Sequence, residues 1–413
     1  MLTINGRKIF TCEQAISLLF ALNISDQIFL IIINGFVGSV VGKLFYVLEV
    51  LLFLVALPLI CRTVRKEDII AFFAWSMILL INVLLLRREQ EMYISALISV
   101  LLKCFPVYFV GRVAGNQAEH VSKYLQWVTV IVSVGYLMLS LEKGVDYGGH
   151  SYSQYIGYAL LPPACIALCF SLKGMLWQIP FALFLGYGVL ASGARGPLFS
   201  LLLVVAVYVL GRMNRLTVKK TVGFAVVGVL VYVVCINMEA ILTALLEVLS
   251  QSGLSVRVIS TLLNGSFMAP TGRNILYELS WKGAFDHPLG VGIFHDRQFL
   301  LQQTGDVEAS SAGYYAHNLF LEIPLQFGII FGSILVVLLI ILLLKAYRNS
   351  RRNNDALLCM AALFGSGLFP LMVSSSYVEW IPFYLMMGYI VTMAQKRKPD
   401  SLREIEDDTK SHS

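Results

Sequence analysis

The chain has 413 residues, of which 58% are hydrophobic and 14% are charged, and its mean hydropathy is +0.76. An ordinary soluble domain carries about 25% charged residues. The composition therefore excludes a soluble globular protein and predicts an all-α, polytopic membrane protein. The net charge of +6 does not indicate a nucleic-acid partner, because no basic stripe with interleaved aromatic residues lies outside the loops.

Long apolar stretches recur along the chain. A membrane-spanning helix needs roughly 20 mostly apolar residues, and the sequence contains about twelve candidates. Asp26 interrupts the first candidate, and a short link containing Lys43 separates it from the second. The predicted spans are 14–35, 44–61, 69–86, 93–111, 124–141, 155–171, 175–191, 197–211, 221–246, 318–344, 356–373 and 380–394.

The distribution of basic residues orients these spans. Most of the 31 Lys and Arg residues lie in loops that the positive-inside rule assigns to the cytoplasm, together with both termini. This orientation places four polar segments on the outer face. The longest, 247–316, contains aromatic and aliphatic residues throughout, which is typical of an ordered, functional loop. The four segments are 142–152, 192–197, 247–316 and 374–380.

The sequence indicates no resident cofactor. The cytoplasmic loops contain no Gly-rich phosphate cradle and no acidic pair for a metal ion. The seven cysteines form no Cys-x-x-Cys pair, which argues against a disulfide or zinc framework. We therefore expect a substrate with a high-energy bond to arrive already activated, at the outer face. No cleavable signal peptide is evident before the first span.

Three arginines on the outer face, Arg195, Arg257 and Arg273, are candidates for binding an anion. Guanidinium groups suit bidentate recognition of phosphate or carboxylate. An arginine at membrane depth costs roughly 2.5 to 3.5 kcal/mol on insertion scales, so Arg195 needs a partner. The alternative is that Arg195 extends to the membrane interface or pairs with Glu379 or Asp146. The remaining loop cations, interpreted as solvated, are Lys282 and Arg297.

His317 is the candidate for proton transfer, because imidazole titrates near neutral pH and is the commonest general base. The alternative is a helix cap or a packing residue. Asn318 is predicted to cap the helix or hold an acceptor, and Glu322, one turn later, to orient His317 or pair with an arginine. Two interpretations of Asp286 and Asp296 stay open: they take part in acid–base chemistry, or they form turns.

Three motifs occur in a fixed order around the long loop. Together they resemble the O-antigen ligase and Wzy-type polysaccharide polymerase superfamily, which are integral membrane glycosyltransferases with a fold of the C type. The resemblance covers residues 190–335. The motifs are Ser192-Gly193-Ala194-Arg195-Gly196; Gly272-Arg273 with Trp281 and Asp286-His287-Pro288-Leu289-Gly290-Val291-Gly292; and His317-Asn318 with Leu321-Glu322 and Gly328-Ile329-Ile330-Phe331-Gly332.

The resemblance implies specific roles for these residues. Arg195, Arg273 and Arg257 would hold the diphosphate of an undecaprenyl-diphosphate-linked glycan, with Asn318 and Glu322 also at the substrate. His317 would deprotonate the acceptor hydroxyl in an inverting transfer that uses no metal. The site would lie on the outer face of a bacterial cytoplasmic membrane.

We interpret the chain as a polymerase of O-antigen or capsular repeat units, because it has no extra outer domain for a protein acceptor. Two alternatives stay open: a ligase that transfers the glycan to lipid A core, and a transporter of lipid-linked oligosaccharide. A chain-length regulator is a candidate partner. The expected organisation is an N-terminal bundle at 1–190, a ligase/polymerase-like core at 191–335, C-terminal helices at 336–394 and a cytoplasmic tail at 395–413.

Overall fold

The fold is helical. A computed structural model describes residues 2–4, 7–86, 89–143, 153–213, 238–251, 259–260, 263–264, 273–305 and 310–396. Within this part, the only strands are Leu2–Ile4 and Arg7–Phe10, which pair as an antiparallel hairpin. The predicted all-α fold class is therefore confirmed.

The described residues contain eight helices that are long and apolar enough to cross a membrane, or nine if one bent pair is a single span. The protein is a polytopic membrane protein, but the predicted number of twelve spans is not confirmed. The eight helices are Gly42–Thr63, Lys66–Leu85, Gln90–Ala114, Ala118–Glu142, Gln154–Lys173, Arg195–Arg212, Ile329–Ser350 and Asn354–Met372.

The bent pair lies at the first predicted span. Helices Cys12–Ile24 and Asp26–Val37 meet at Ser25 with an angle of 77°. A capping box at Thr11 fixes the start of the first helix, since the Thr11 side chain and Gln14 satisfy each other's backbone N–H groups. The predicted continuous span 14–35 is thus a broken one.

Other predicted spans also differ from the structure. The span 318–344 is two helices, Leu319–Phe327 and Ile329–Ser350, separated by Gly328. Glycine adopts the φ of +82° found there at no steric cost. Two predicted spans are short helices, Leu176–Ala191 and Ile381–Gln395, and most of the predicted span 221–246 falls outside the described residues.

Close helix crossings, made possible by glycine, hold the bundle together. Helix Ile381–Gln395 crosses Phe105–Ala114 so tightly that a Cβ on Gly388 would lie 2.0 Å from the Tyr108 carbonyl oxygen. Small residues at such interfaces let backbones approach, which is how membrane helices gain packing energy. Near this crossing, Arg112 forms a buried ion pair of 2.9 Å with Asp68.

The long polar segment predicted as a loop contains two helices, Arg273–Asp286 and His295–Thr304. Both pack against Leu319–Phe327. Their shared core includes Leu276, Leu300 and Leu325, each at most 9% exposed. The described part of this segment is therefore an ordered element, as the sequence predicted.

Candidate active site

The segment Val373 to Trp380, which connects the turn Phe369–Met372 to the last helix, receives side chains from several distant parts of the chain. Arg273 donates from Nη1 to the carbonyl oxygen of Val373. The next carbonyl, of Ser374, lies 2.9 Å from His317 Nδ1. The two side chains are thus anchored on consecutive peptide groups, which places a fixed cation beside an imidazole.

His317 is held in an unusual conformation. Its φ is +49°, in the left-handed region that residues with a Cβ rarely adopt. Tyr315 donates its hydroxyl to the same Ser374 carbonyl, and its ring centroid lies 4.0 Å from that of His317. Because a carbonyl oxygen only accepts, Nδ1 of His317 carries the proton of the neutral ring, and the lone pair is on Nε2.

The surroundings of His317 favour its neutral form. Burial lowers the pKa of the His317 imidazole below its ordinary value, and the charge of Arg273 acts in the same direction. The backbone groups of Ser374 and Gly313 act in the opposite direction but do not outweigh burial. A neutral imidazole is the state that can accept a proton.

Asn318 caps the helix Leu319–Phe327. Its Oδ1 accepts from the backbone N–H of Phe320 at 2.9 Å. The cap fixes the direction of the chain directly after His317, since the first N–H groups of a helix otherwise lack partners.

Behind His317 lies a buried pair of carboxylates, Asp296 and Glu322, both 0% exposed. The amide of Gln326 joins them, donating to Asp296 Oδ2 at 3.1 Å and to Glu322 Oε1 at 3.4 Å. Ser376 donates to Glu322 Oε1, and the Tyr377 hydroxyl donates to the carbonyl oxygen of the Gln326 side chain. Burial raises the pKa of Asp296, and the charge of its neighbour in sequence only partly offsets this.

Arg297 is the counterion of this cluster. Its Nη2 lies 2.9 Å from Glu379 Oε1, and the residue is only 7% exposed. Burial lowers the pKa of Arg297, but Glu379, Asp296 and Glu322 raise it by more. The interpretation of Arg297 as a solvated cation was wrong, because three carboxylates compensate the cost of burying it. Aromatic rings also surround the guanidinium, with the centroid of Tyr315 at 5.5 Å.

The Arg195 motif reaches the same segment from another direction. Arg195 is half-buried and begins the helix Arg195–Arg212. A Cβ on Gly196 would lie 2.3 Å from the Tyr158 hydroxyl and 3.4 Å from Val373 Cγ2. Glycine therefore lets this helix start approach the residue whose carbonyl binds Arg273.

The motif Asp286 to Gly292 supports the helix that follows His317. The backbone N–H of Val291 donates to Leu325, and that of Gly292 donates to Gln326. Gly290 and Gly328 both have positive φ, and a Cβ on Gly328 would lie 1.9 Å from the Pro288 carbonyl oxygen. This motif thus has a direct structural task, because it anchors the end of the helix that carries Glu322 and Gln326.

Some predicted candidates lie apart from this arrangement. Arg257 and Asp146 fall outside the described residues. Lys282, Asp286 and His287 are exposed on or beside helix Arg273–Asp286. Sequence reasoning missed Arg297 and Gln326. The ion-pair partner of Arg297, Glu379, is 82 residues away in the chain. Gln326 contacts Glu322, one helical turn earlier, and Asp296, which is 30 residues away. These contacts exist only in the folded chain.

The arrangement defines a polytopic helical membrane protein with arginines and a neutral histidine gathered around one polar segment. Among the described ranges, no group of three or more His, Cys, Asp or Glu side chains is placed to hold a metal ion. Such a site can stabilise a departing anion with its cations and accept a proton with its imidazole.

A family model described as O-antigen ligase, Wzy_C, matches residues 180–336. The match confirms the predicted resemblance to the O-antigen ligase and Wzy-type superfamily. It contains Arg195, Arg273 and His317, and it supports an enzyme with a ligase- or polymerase-type role on lipid-linked glycans. A search of curated proteins finds no match.

Proposed function

We propose that the chain polymerises undecaprenyl-diphosphate-linked oligosaccharide repeats into O-antigen or capsular polysaccharide, on the outer face of the bacterial cytoplasmic membrane. The observation that carries this proposal is the anchoring of Arg273 and His317 on the adjacent carbonyls of Val373 and Ser374. Glycosyl transfer from a diphosphate needs a cation and a base side by side, and this pair supplies both.

In the proposed reaction, an acceptor hydroxyl gives its proton to Nε2 of His317 while its oxygen attacks the anomeric carbon of the donor sugar. The bond between that carbon and the diphosphate oxygen breaks, and the configuration inverts. The electron pair leaves with the lipid diphosphate. Arg273 and Arg195, with Arg257 as a further candidate, would stabilise the charge that develops on this leaving group.

The contacts favour indirect roles for two predicted binding residues. Asn318 uses its Oδ1 to cap the helix, and Glu322 is fully buried and accepts from Ser376 and Gln326. We therefore assign Glu322 and Arg297 to positioning, because both hold the segment on which His317 and Arg273 are anchored.

Ligation is the second candidate, because the matching family model is described as O-antigen ligase. Both reactions break the same kind of bond and differ in the acceptor. The surface glycan of a strain lacking the gene separates them when its size and lipid anchor are determined. Loss of the ladder to single repeats supports polymerisation, and long chains left on the carrier lipid support ligation. Repeats trapped on the inner leaflet would overturn both in favour of transport.

The side of the membrane is tested separately with Gln303, an exposed residue of helix His295–Thr304. In cells, a Gln303→Cys variant should react with a thiol reagent that cannot cross the membrane, and an Arg348→Cys variant should not. The reverse pattern would place the site in the cytoplasm and overturn the proposal.

A further inference from the structure

Three ionisable side chains lie inside predicted membrane spans of the N-terminal half and face the same cavity. They are Asp26, Glu49 and Lys103. Charged groups at membrane depth are costly and commonly mark binding or transport sites. The candidate active site described above uses none of these three residues.

The cavity opens where the first span breaks. Asp26 directly follows the 77° bend at Ser25. Lys103 lies on a π-helical turn, Val100–Cys104, within the span Gln90–Ala114. Discontinuous helices and π-helical turns both occur frequently at binding sites in membrane proteins. The two irregularities together direct polar groups toward one space.

We call this space the Ser25 cavity, and it consists of two neighbouring pockets that share lining residues. The polar part is about 230 Å³ in volume, and the more apolar part is about 270 Å³. The polar part is lined by side chains that include Gln27, Tyr155 and Trp380, and the apolar part by Phe53 and others. Residues lining both parts are Asn23, Asp26, Tyr46, Lys103 and Ile381.

The polar part has the chemistry of a sugar site. Carboxylates and amides pair with hydroxyl groups, and the flat rings of tyrosine and tryptophan offer faces for stacking. Lys103 Nζ lies 4.5 Å from the ring centroid of Tyr46, close to Asp26. The described residues that line the two parts include three carboxylates, Asp26, Glu49 and Glu379, but only one ammonium group and no arginine, so the cavity does not suit a diphosphate.

An unsatisfied acceptor points to a missing ligand. Glu49 Oε1 is inaccessible to solvent and has no hydrogen-bond partner among the described residues. A buried polar atom without a partner is costly, so each such atom needs an explanation. A hydroxyl donor from a bound molecule would supply the missing hydrogen bond.

The cavity shares a wall with the candidate active site. Glu379 lines the polar part and also forms the 2.9 Å ion pair with Arg297. Tyr158, another lining residue, packs against Gly196 beside Arg195. A ligand in the cavity would therefore end next to the ion pair of Arg297 and the helix start at Arg195.

We propose that the Ser25 cavity binds the sugar end of the glycan acceptor, which rests on the proposed function. The acceptor is the substrate that brings only sugar to the reacting atoms, whereas the donor brings its diphosphate to the arginines.

The first test measures protection of a cysteine in the cavity. The Gln27→Cys variant also carries His317→Ala, so that lipid-linked single repeats accumulate. Cells that express it are then treated with a membrane-impermeant maleimide. We expect labelling to be several-fold slower than in a strain that cannot attach the first sugar to the carrier lipid. Gln303→Cys, outside the cavity, is the matched control and should label equally in both strains. Equal labelling of Gln27→Cys in both strains, or none in either, overturns the proposal.

The second test measures kinetics in reconstituted membranes, with a longer lipid-linked chain as donor and a single repeat as acceptor. Asp26→Asn and Glu49→Gln should each raise the KM for the acceptor by about three- to tenfold, the range for the loss of one hydrogen bond. The KM for the donor should not change. The control is Glu91→Gln, an exposed carboxylate outside the cavity. An unchanged acceptor KM in both cavity variants overturns the proposal.

The two proposals can fail separately. If His317→Ala cells still make polymer while their Gln27→Cys is protected, the proposed function fails and the cavity retains its ligand. If His317→Ala is inactive but Gln27→Cys is never protected, the cavity proposal fails and the proposed function stands.

Discussion

Arg297 Nη2 lies 2.9 Å from Glu379 Oε1, and this ion pair joins helix His295–Thr304 to the segment before the last helix. The two ends of the pair differ in exposure, since the Arg297 side chain is 8% exposed and that of Glu379 is 39%. The arginine is therefore the buried end. It also lies close enough to the fully buried carboxyl groups of Asp296 and Glu322 to interact with them electrostatically, so its removal should matter more than that of an exposed cation.

We expect Arg297→Ala to destabilise the protein by about 1.5–3 kcal/mol, the range for a hydrogen bond to a charged group, because Glu379 at the other end of the pair is partly exposed. Arg297→Lys should be intermediate, because it retains the charge but loses the planar, stacking guanidinium. Thermal unfolding of the purified protein in detergent measures both effects. Arg348→Ala, at an exposed position, is the control, and an equal loss in both alanine variants would contradict this account.

His317→Gln should lower the rate of glycan transfer by about 10²- to 10⁴-fold, the usual contribution of a general base. Glutamine can still donate to the Ser374 carbonyl, so the protein should insert and remain folded. The ladder of surface glycan and the rate in isolated membranes report the effect. His120→Ala, an exposed histidine on helix Ala118–Lys143, should leave the ladder unchanged, and a normal ladder from His317→Gln would remove this residue from the mechanism.

The pH dependence of the reaction should follow the neutral form of His317. Burial lowers the pKa of this imidazole, so the ring is already neutral at pH 7, and the rate should be flat there. As the pH falls below the ordinary histidine value of about 6.5, the ring gains a proton and the rate should decline. A plot of kcat against pH in reconstituted membranes measures this dependence. A rate that increases on acidification would exclude His317 as the general base.

Arg273→Ala and Arg195→Lys should both reduce transfer while the protein stays in the membrane. Arg273 uses one donor on the Val373 carbonyl, and a guanidinium has further N–H donors for a phosphate. Lysine cannot reproduce bidentate contact, so Arg195→Lys should not preserve the wild-type rate. The measurement is the rate at saturating acceptor, with Lys282→Ala as an exposed control. A wild-type rate in Arg195→Lys would show that charge alone suffices.

The sequence predicted the fold class, because hydropathy is visible in it. Local motifs also singled out Arg195, Arg273 and His317, whose surroundings meet at Val373 and Ser374 in the structure. Asp26 marks an interruption of the first span in the sequence, but the 77° bend there and the break at Gly328 were not predicted, since each depends on packing that a hydropathy window averages out. Arg297 was assigned to solvent because its partner Glu379 is 82 residues away. In the same way, the carbonyls of Val373 and Ser374 are ordinary backbone groups, and nothing in the sequence marks them as anchors for Arg273 and His317.

Gly328→Ala should be far more damaging than an alanine at another glycine of positive φ. Gly328 has φ +82° and ψ 158°, a region that only glycine occupies readily, and a Cβ there would lie 1.9 Å from the Pro288 carbonyl oxygen. Gly305 has φ +78° with nothing within 4 Å of its Cβ position, so Gly305→Ala should cost only about 1–2 kcal/mol. Unfolding temperatures of the two variants separate backbone strain from the clash. Since the clash displaces the helix that carries Glu322, Gly328→Ala should also lose glycan transfer, and equal stability of the two variants would mean that Pro288 moves aside.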